Sequence, residues 1–277
     1  MYKRQALDPD VKKNFQRAGL SHIVALSGFN ISIISLGLLA LAPYLFIPRR
    51  FSVWLVVLII FIFVIFTGGE SSIVRAALMG SGSVIAYQLG RRSSAMMLLL
   101  VSGTCMVFLN PLILLHDIGF QLSFLATLGL LLFSNYFEKW LKFLPEIFGL
   151  RLTVSATLAA TFATLPILIM YFGRISLTSI LANVAVVPVV PFLMLVSFLG
   201  LVLSFFSVHL SAGFVLLTWV ISCYIVEISG FLSGVSFAEA PVPFLPFWFI
   251  GLVYGFFGLL IIFVNKKQLL KLKKYIK

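Results

Sequence analysis

The sequence predicts an all-α fold, a polytopic transmembrane helical bundle of about nine crossings, one of them a discontinuous helix. Three observations carry this. Of the 277 residues, 61% are hydrophobic, against roughly 45–50% in an average soluble domain. Only 10% are charged and the mean hydropathy is +1.16, which leaves too little polar surface to cover a water-soluble globule of this size. Apolar runs of spanning length recur near 23–46, 52–68, 72–89, 94–109, 117–136, 151–172, 176–206, 211–232 and 244–264, each bounded by charges, Pro or Gly. At about 20 residues per crossing these runs use nearly the whole length, so a large extramembrane enzyme domain is excluded.

Taken in order, residues 1–22 read as an interfacial amphipathic segment. Asp8 and Pro9 make a helix start, and Leu7, Val11 and Phe15 recur every four residues with Lys12, Lys13 and Arg17 between them. No short apolar core with a small-residue cleavage site follows residues 1–17, so no cleavable signal peptide is expected. The transmembrane domain occupies 23–265. Its first run carries Ser27-Gly28, a site of close packing or of a local helix break. Around the start of the third, Arg75 sits in Gly68-Gly69-Glu70-Ser71-Ser72-Ile73-Val74-Arg75-Ala76-Ala77, whose small residues would admit another backbone closely. The seventh, 176–206, is too long for one straight helix and contains Pro188 and Pro191, which remove backbone donors and break the ladder. The last holds Gly251-x-x-x-Gly255, a packing motif, and residues 266–277 form a basic cytoplasmic tail. No internal repeat or low-complexity tract interrupts the series.

Orientation follows from the distribution of Lys and Arg. The loops at Arg49–Arg50, Arg91–Arg92 and Lys139–Arg151 fall on one side with the tail, and that side is expected to be cytoplasmic. The opposite loops, 67–71, 110–116, 173–175 and 233–243, hold a single basic residue, Arg174. The N-terminal segment runs against this tally, because its five basic residues then lie outside. The net charge of +12 is compatible with a polyanionic partner, although basic cytoplasmic loops account for an excess of this kind in many membrane proteins. Cys105 and Cys223 both sit in apolar runs and make neither a disulfide framework nor a metal cluster.

The informative residues are those that lipid rejects, since a charge at the bilayer centre costs at least about 2.5–3.5 kcal/mol. Glu70, Arg75, Asp117 and Glu227 stand out, all in the outer half of the membrane on this topology. His22, Asn30, Asn110, His116, Gln121 and Asn183 share that half, which suggests a polar vestibule open to the outside. Helix-end residues at headgroup depth cost little, so this reading is strongest for Arg75 and Asn183, one or two turns in. Arg75 needs a partner: Glu70 or Asp117 makes a structural ion pair, and a phosphate makes a functional contact. The three histidines are far apart, and there is no Walker loop, His-Glu-x-x-His helix or Gly-x-Ser-x-Gly elbow, so no enzyme, metal or cofactor is expected.

The stretch Phe15-Gln16-Arg17-Ala18-Gly19-Leu20-Ser21-His22-Ile23-Val24-Ala25-Leu26-Ser27-Gly28-Phe29-Asn30 resembles the opening signature of the ComEC competence-protein family. Three more blocks agree in order: Ser72 to Met79, Asn110-Pro111 leading to Asp117-Ile118-Gly119-Phe120-Gln121-Leu122-Ser123-Phe124-Leu125-Ala126, and Leu165-Pro166 with Phe172-Gly173 and Asn183 before Pro188. The resemblance covers the membrane domain. Longer relatives carry an oligonucleotide-binding-type domain before it and a metallo-beta-lactamase-like domain after it, so a truncated or reduced family member is expected. Glu70 stands where the family often has a small residue, which adds a negative charge near Arg75.

What the resemblance implies is an inner-membrane, multi-pass channel that passes single-stranded DNA into the cytoplasm during natural transformation. Implied partners are the strand itself, the bilayer, a cytoplasmic helicase, an extracytoplasmic DNA-binding protein and a homo-oligomeric assembly. A strand carries one charge per nucleotide, so its path must be wet and must hold phosphates weakly. The candidate path residues are His22, Ser27, Asn30, Arg75, Asp117, Gln121, Ser123 and Asn183. Phe29, Phe120 and Phe124 offer faces on which bases stack, with ordinary packing the default for each. Two other classes compete: a secondary transporter of a small anionic or lipid-linked substrate, to which a broken helix also points, and an intramembrane enzyme.

Overall fold

The computed structural model describes residues 8–24, 48–146, 149–235 and 238–242, with single positions or short pieces between 31 and 46 and at 251 and 255. The first helix, α1 (Pro9–Arg17), begins where expected. Asp8 accepts a hydrogen bond from the Asp10 N–H at 3.1 Å, Pro9 opens the first turn and Arg17 faces the negative end of the helix dipole. Gly19 turns the chain into the short α2 (Ser21–Val24) with φ at +73°, and a Cβ there would lie 2.5 Å from Ser179 Cβ. Only glycine meets both demands.

Helices α3 (Arg49–Phe66) and α4 (Ser71–Gln88) pack on each other across the Gly68-Gly69 turn. Ile31, Val53, Val56, Ile60, Ile73, Ala77 and Val84 form their shared core. Then follow α5 (Ala95–Leu109), the single turn α6 (Ile113–His116) and α7 (Ile118–Trp140). The pair formed by α7 and α8 (Leu150–Phe172) makes the most extensive helix contact among the described residues. Ser155, Ala159 and Ala163 repeat at i+4 along α8 and are buried, so the backbones approach closely.

After α8 come β1 (Arg174–Ser176), α9 (Ser179–Val186), α10 (Val190–Ser204), α11 (Val208–Ser233) and β2 (Glu239–Pro241). The expected break is present: α9 and α10 are bent by 41° across the residues that include Pro188, and Pro191 lies in the first turn of α10. A second core joins α1, α9 and α11 through Phe15, Ala18, Leu20, Ala182, Val186, Ile221 and Ile225. The apolar side of α1, Val11 and Phe15, is therefore covered by protein, while Lys12 and Lys13 remain exposed.

One expectation changes and a second is met in part. The all-α reading is corrected to a mostly helical one, because residues read as loops pair as an antiparallel two-stranded sheet with Ile175 opposite Ala240. Three-residue strands are too short to give an alternating pattern, which is why the sequence hides them. Of the nine expected crossings, the described residues show three helices long and apolar enough to span (α7, α8, α11), or four with the α9–α10 pair. Shorter apolar helices, Phe51–Phe66 and Ala95–Leu109, accompany them. The run at 72–89 is α4, whose Arg75 and four serines dilute its hydropathy. Most of the first and last runs, and the tail, lie outside the described residues. In the last run, neither Gly251 nor Gly255 has a described neighbour within 4 Å of a built Cβ.

Glu239 on β2 lies 3.6 Å from Arg17 and 3.5 Å from Arg174, and Ser176 donates to the Arg17 carbonyl at 2.7 Å. Three segments that the charge tally puts on one side, the N-terminal helix and the loops at 173–175 and 233–243, thus meet. Glu239→Gln removes both pairs. The expected loss is about 1 kcal/mol, since each pair is partly exposed and screened. Unfolding midpoints at low and high salt check it: the gap to the unsubstituted chain should close as salt rises.

Candidate functional site

The polar residues singled out in the sequence fall into two groups. The first is at the junction of α4, α5 and α7, helices in mutual contact. Asp117 precedes α7 and is its N-cap, accepting from the Phe120 N–H at 3.0 Å. Its other carboxylate oxygen accepts from the Ser71 hydroxyl on α4. Ser71 and Arg75 are one turn apart and share a face of α4. Helical side chains lean toward the N-terminus, which would aim an arginine at 75 toward Ser71 and the Asp117 carboxylate.

The expected ion pair nevertheless does not form among the described residues. Arg75 is only 8% exposed and its Nε has no hydrogen-bond partner. Its guanidinium lies over the Phe124 ring, 5.8 Å from the centroid, within cation–π range. Phe124 in turn packs on Phe120, with centroids 4.3 Å apart. Glu70 precedes α4 at its N-cap position and has contacts of its own. Gln121, half-buried, donates from Nε2 to the Leu114 and Leu115 carbonyls at 2.9 and 3.2 Å, which pins α6 to α7. Ser123 is half-buried on α7, and its carbonyl accepts from Thr127 at 2.9 Å.

The second group belongs to the other core. Asn183 on α9 is buried and its Oδ1 has no hydrogen-bond partner among the described residues, and the same holds for the buried Thr178 hydroxyl just before α9. Its neighbours Ala182 and Val186 pack with α1 and α11. His22 is exposed on α2, which follows α1. Glu227 is exposed on α11. Ser27, Asn30 and Phe29 lie outside the described residues.

Sequence reasoning missed Ser71, Gly103 and Glu239. Ser71 was detectable as the residue one turn before Arg75. Gly103, where a Cβ would come 2.9 Å from Phe124 Cε1, gave no signal because glycine is frequent in membrane helices. Glu239 was detectable as an acidic residue in a loop with no other charge.

The chain is 31% identical over 212 residues to ComE operon protein 3 of Bacillus subtilis (strain 168), covering 75% of this chain and 26% of that protein. It is 27% identical over 226 residues to the uncharacterized protein YcaI of Escherichia coli (strain K12), covering 78% of this chain and 29% of that protein. The chain thus spans little more than a quarter of the length of either relative. No solved structure matches it. The family described as "Competence protein" matches residues 3–267, nearly the full length, and all four sequence blocks lie inside that match; the chain belongs to the competence-protein family.

Proposed function

We propose that this chain forms the membrane path of a DNA-uptake channel in the inner membrane, passing a single strand toward the cytoplasm without doing chemistry on it. The single observation that carries the reading is Arg75, a guanidinium buried in the membrane domain with no carboxylate on it among the described residues. An uncompensated buried cation costs several kcal/mol, and an anion arriving from outside offsets that cost. A phosphodiester suits it, because guanidinium matches phosphate geometry and the strand offers one phosphate after another. Membership of the competence-protein family supports the same reading. Partners would supply energy and delivery: a cytoplasmic helicase and an extracytoplasmic DNA-binding protein.

The bent α9–α10 pair favours a second reading, a secondary transporter for a small anionic or lipid-linked substrate. Liposomes containing the full chain and challenged with labelled oligothymidylate, its duplex and small anions separate the two. Entry of the single strand in preference to duplex supports the channel. Flux of small anions with no entry of oligonucleotide refutes it and supports the transporter.

A further inference from the structure

Asp117 bonds Ser71, one turn before Arg75 on a packed helix, yet no ion pair joins Asp117 and Arg75, and the reason is legible in three side-chain positions. Asp117 is occupied by the Ser71 hydroxyl and the Phe120 N–H. The Phe124 ring underlies the guanidinium. That ring fits where it does because position 103 on α5 is glycine: a Cβ there would lie 2.9 Å from Cε1 and 3.4 Å from Cζ. We infer that Phe124, seated in the notch left by Gly103, is a positioning residue that holds the Arg75 guanidinium off Asp117 and so keeps it available to the phosphodiester backbone of a passing strand. The inference rests on the channel reading and adds to it the device that keeps the cation available.

An aromatic face is suited to this task. A carboxylate would neutralise the cation and compete with phosphate, whereas a ring quadrupole attracts it without hydrogen-bonding its N–H groups. Contact with phosphate can then be made and released without first breaking an ion pair, and a strand that must advance requires this of every group on its path. Trp and Tyr rings keep the electrostatic face, and Leu keeps only the apolar contact. Asn at 117 still caps α7 through its Oδ1, and its Nδ2 takes the place of the second oxygen and donates to the Ser71 hydroxyl, but it no longer attracts a guanidinium.

The test uses the full chain in liposomes with labelled oligothymidylate, together with the arginine Nε–H resonances of the chain in detergent, where Arg75→Lys identifies the Arg75 signal. Phe124→Trp should retain uptake. Phe124→Leu should lower it roughly tenfold, the loss of one charge-assisted contact, and adding Asp117→Asn should restore it. The Arg75 resonance, shielded by the ring in the unsubstituted chain, should move downfield in Phe124→Leu. Where Phe124→Leu does not fold, Gly103→Ala displaces the ring with its apolar contacts retained and takes its place. Normal uptake in Phe124→Leu overturns the inference, as does a loss that Asp117→Asn fails to restore in a chain of unchanged unfolding midpoint. If the unsubstituted chain admits no oligonucleotide, the channel reading fails, and an Arg75 resonance indifferent to Phe124 overturns the ring's role separately.

Discussion

Replacing Gly129 with valine is expected to separate α7 from α8 and to cost the chain about 3 kcal/mol, near the upper end for adding bulk to a packed interface. A Cβ at 129 would lie 2.5 Å from the Ala159 carbonyl oxygen and 2.5 Å from Ala163 Cβ. A carbonyl in mid-helix cannot turn aside, so the two helices must move apart, and the close contact along Ser155, Ala159 and Ala163 is lost with them. The unfolding midpoint in detergent measures this. Ala163→Gly in the same chain should recover only part of the loss, since it removes the Cβ contact and leaves the carbonyl. A Gly129→Val chain that melts with the unsubstituted one would contradict the packing.

Arg75→Gln is the second large effect, and its two readouts should diverge. Were Arg75 half of a buried ion pair, its removal would strand a carboxylate and cost about 3–5 kcal/mol. Asp117 has its own partners on Ser71 and Phe120, so the substitution instead removes a desolvated charge. Protein level and unfolding midpoint should hold or rise. Uptake of single strands should fall by about ten- to a hundredfold, the range of a hydrogen bond to a charged group. Arg75→Lys should fall between the two, because the charge stays and the planar fork is lost. A destabilised Arg75→Gln chain that Asp117→Asn rescues in both readouts would return Arg75 to a structural role.

Much of this was readable in advance because membrane helices announce themselves by length and hydropathy. The starts of α1 and α7 and the break near Pro188 each depend on local chemistry that a few neighbouring residues define, whereas Gly68 and Gly69, read as a place of close backbone approach, instead turn the chain at positive φ with open space around them. The two-stranded sheet was not readable, since β1 and β2 are short and far apart in sequence. Nor was the destination of Arg75. The sequence offers two carboxylates within reach, and the choice of a ring instead depends on a glycine in a third helix. Asn183 is buried beside Ala182 and Val186, which belong to the core that includes α1 rather than the one that includes α4.

The docking of α1 has a consequence for how the molecule is made. Its Asn14 accepts from Ser233 at 2.8 Å across 219 positions, and its Phe15 is buried with Ile221 and Ile225. A chain emerging from the ribosome therefore produces its first helix long before the surface that receives it. For most of synthesis α1 is therefore made without α11, and their docking joins two segments far apart in the chain. Ribosome-stalled chains ending before residue 208 should leave Asn14 open to a protease or a thiol reagent at an introduced cysteine, and chains extended past Ser233 should protect it. Protection that appears before α11 is complete would mean that α1 has found another seat.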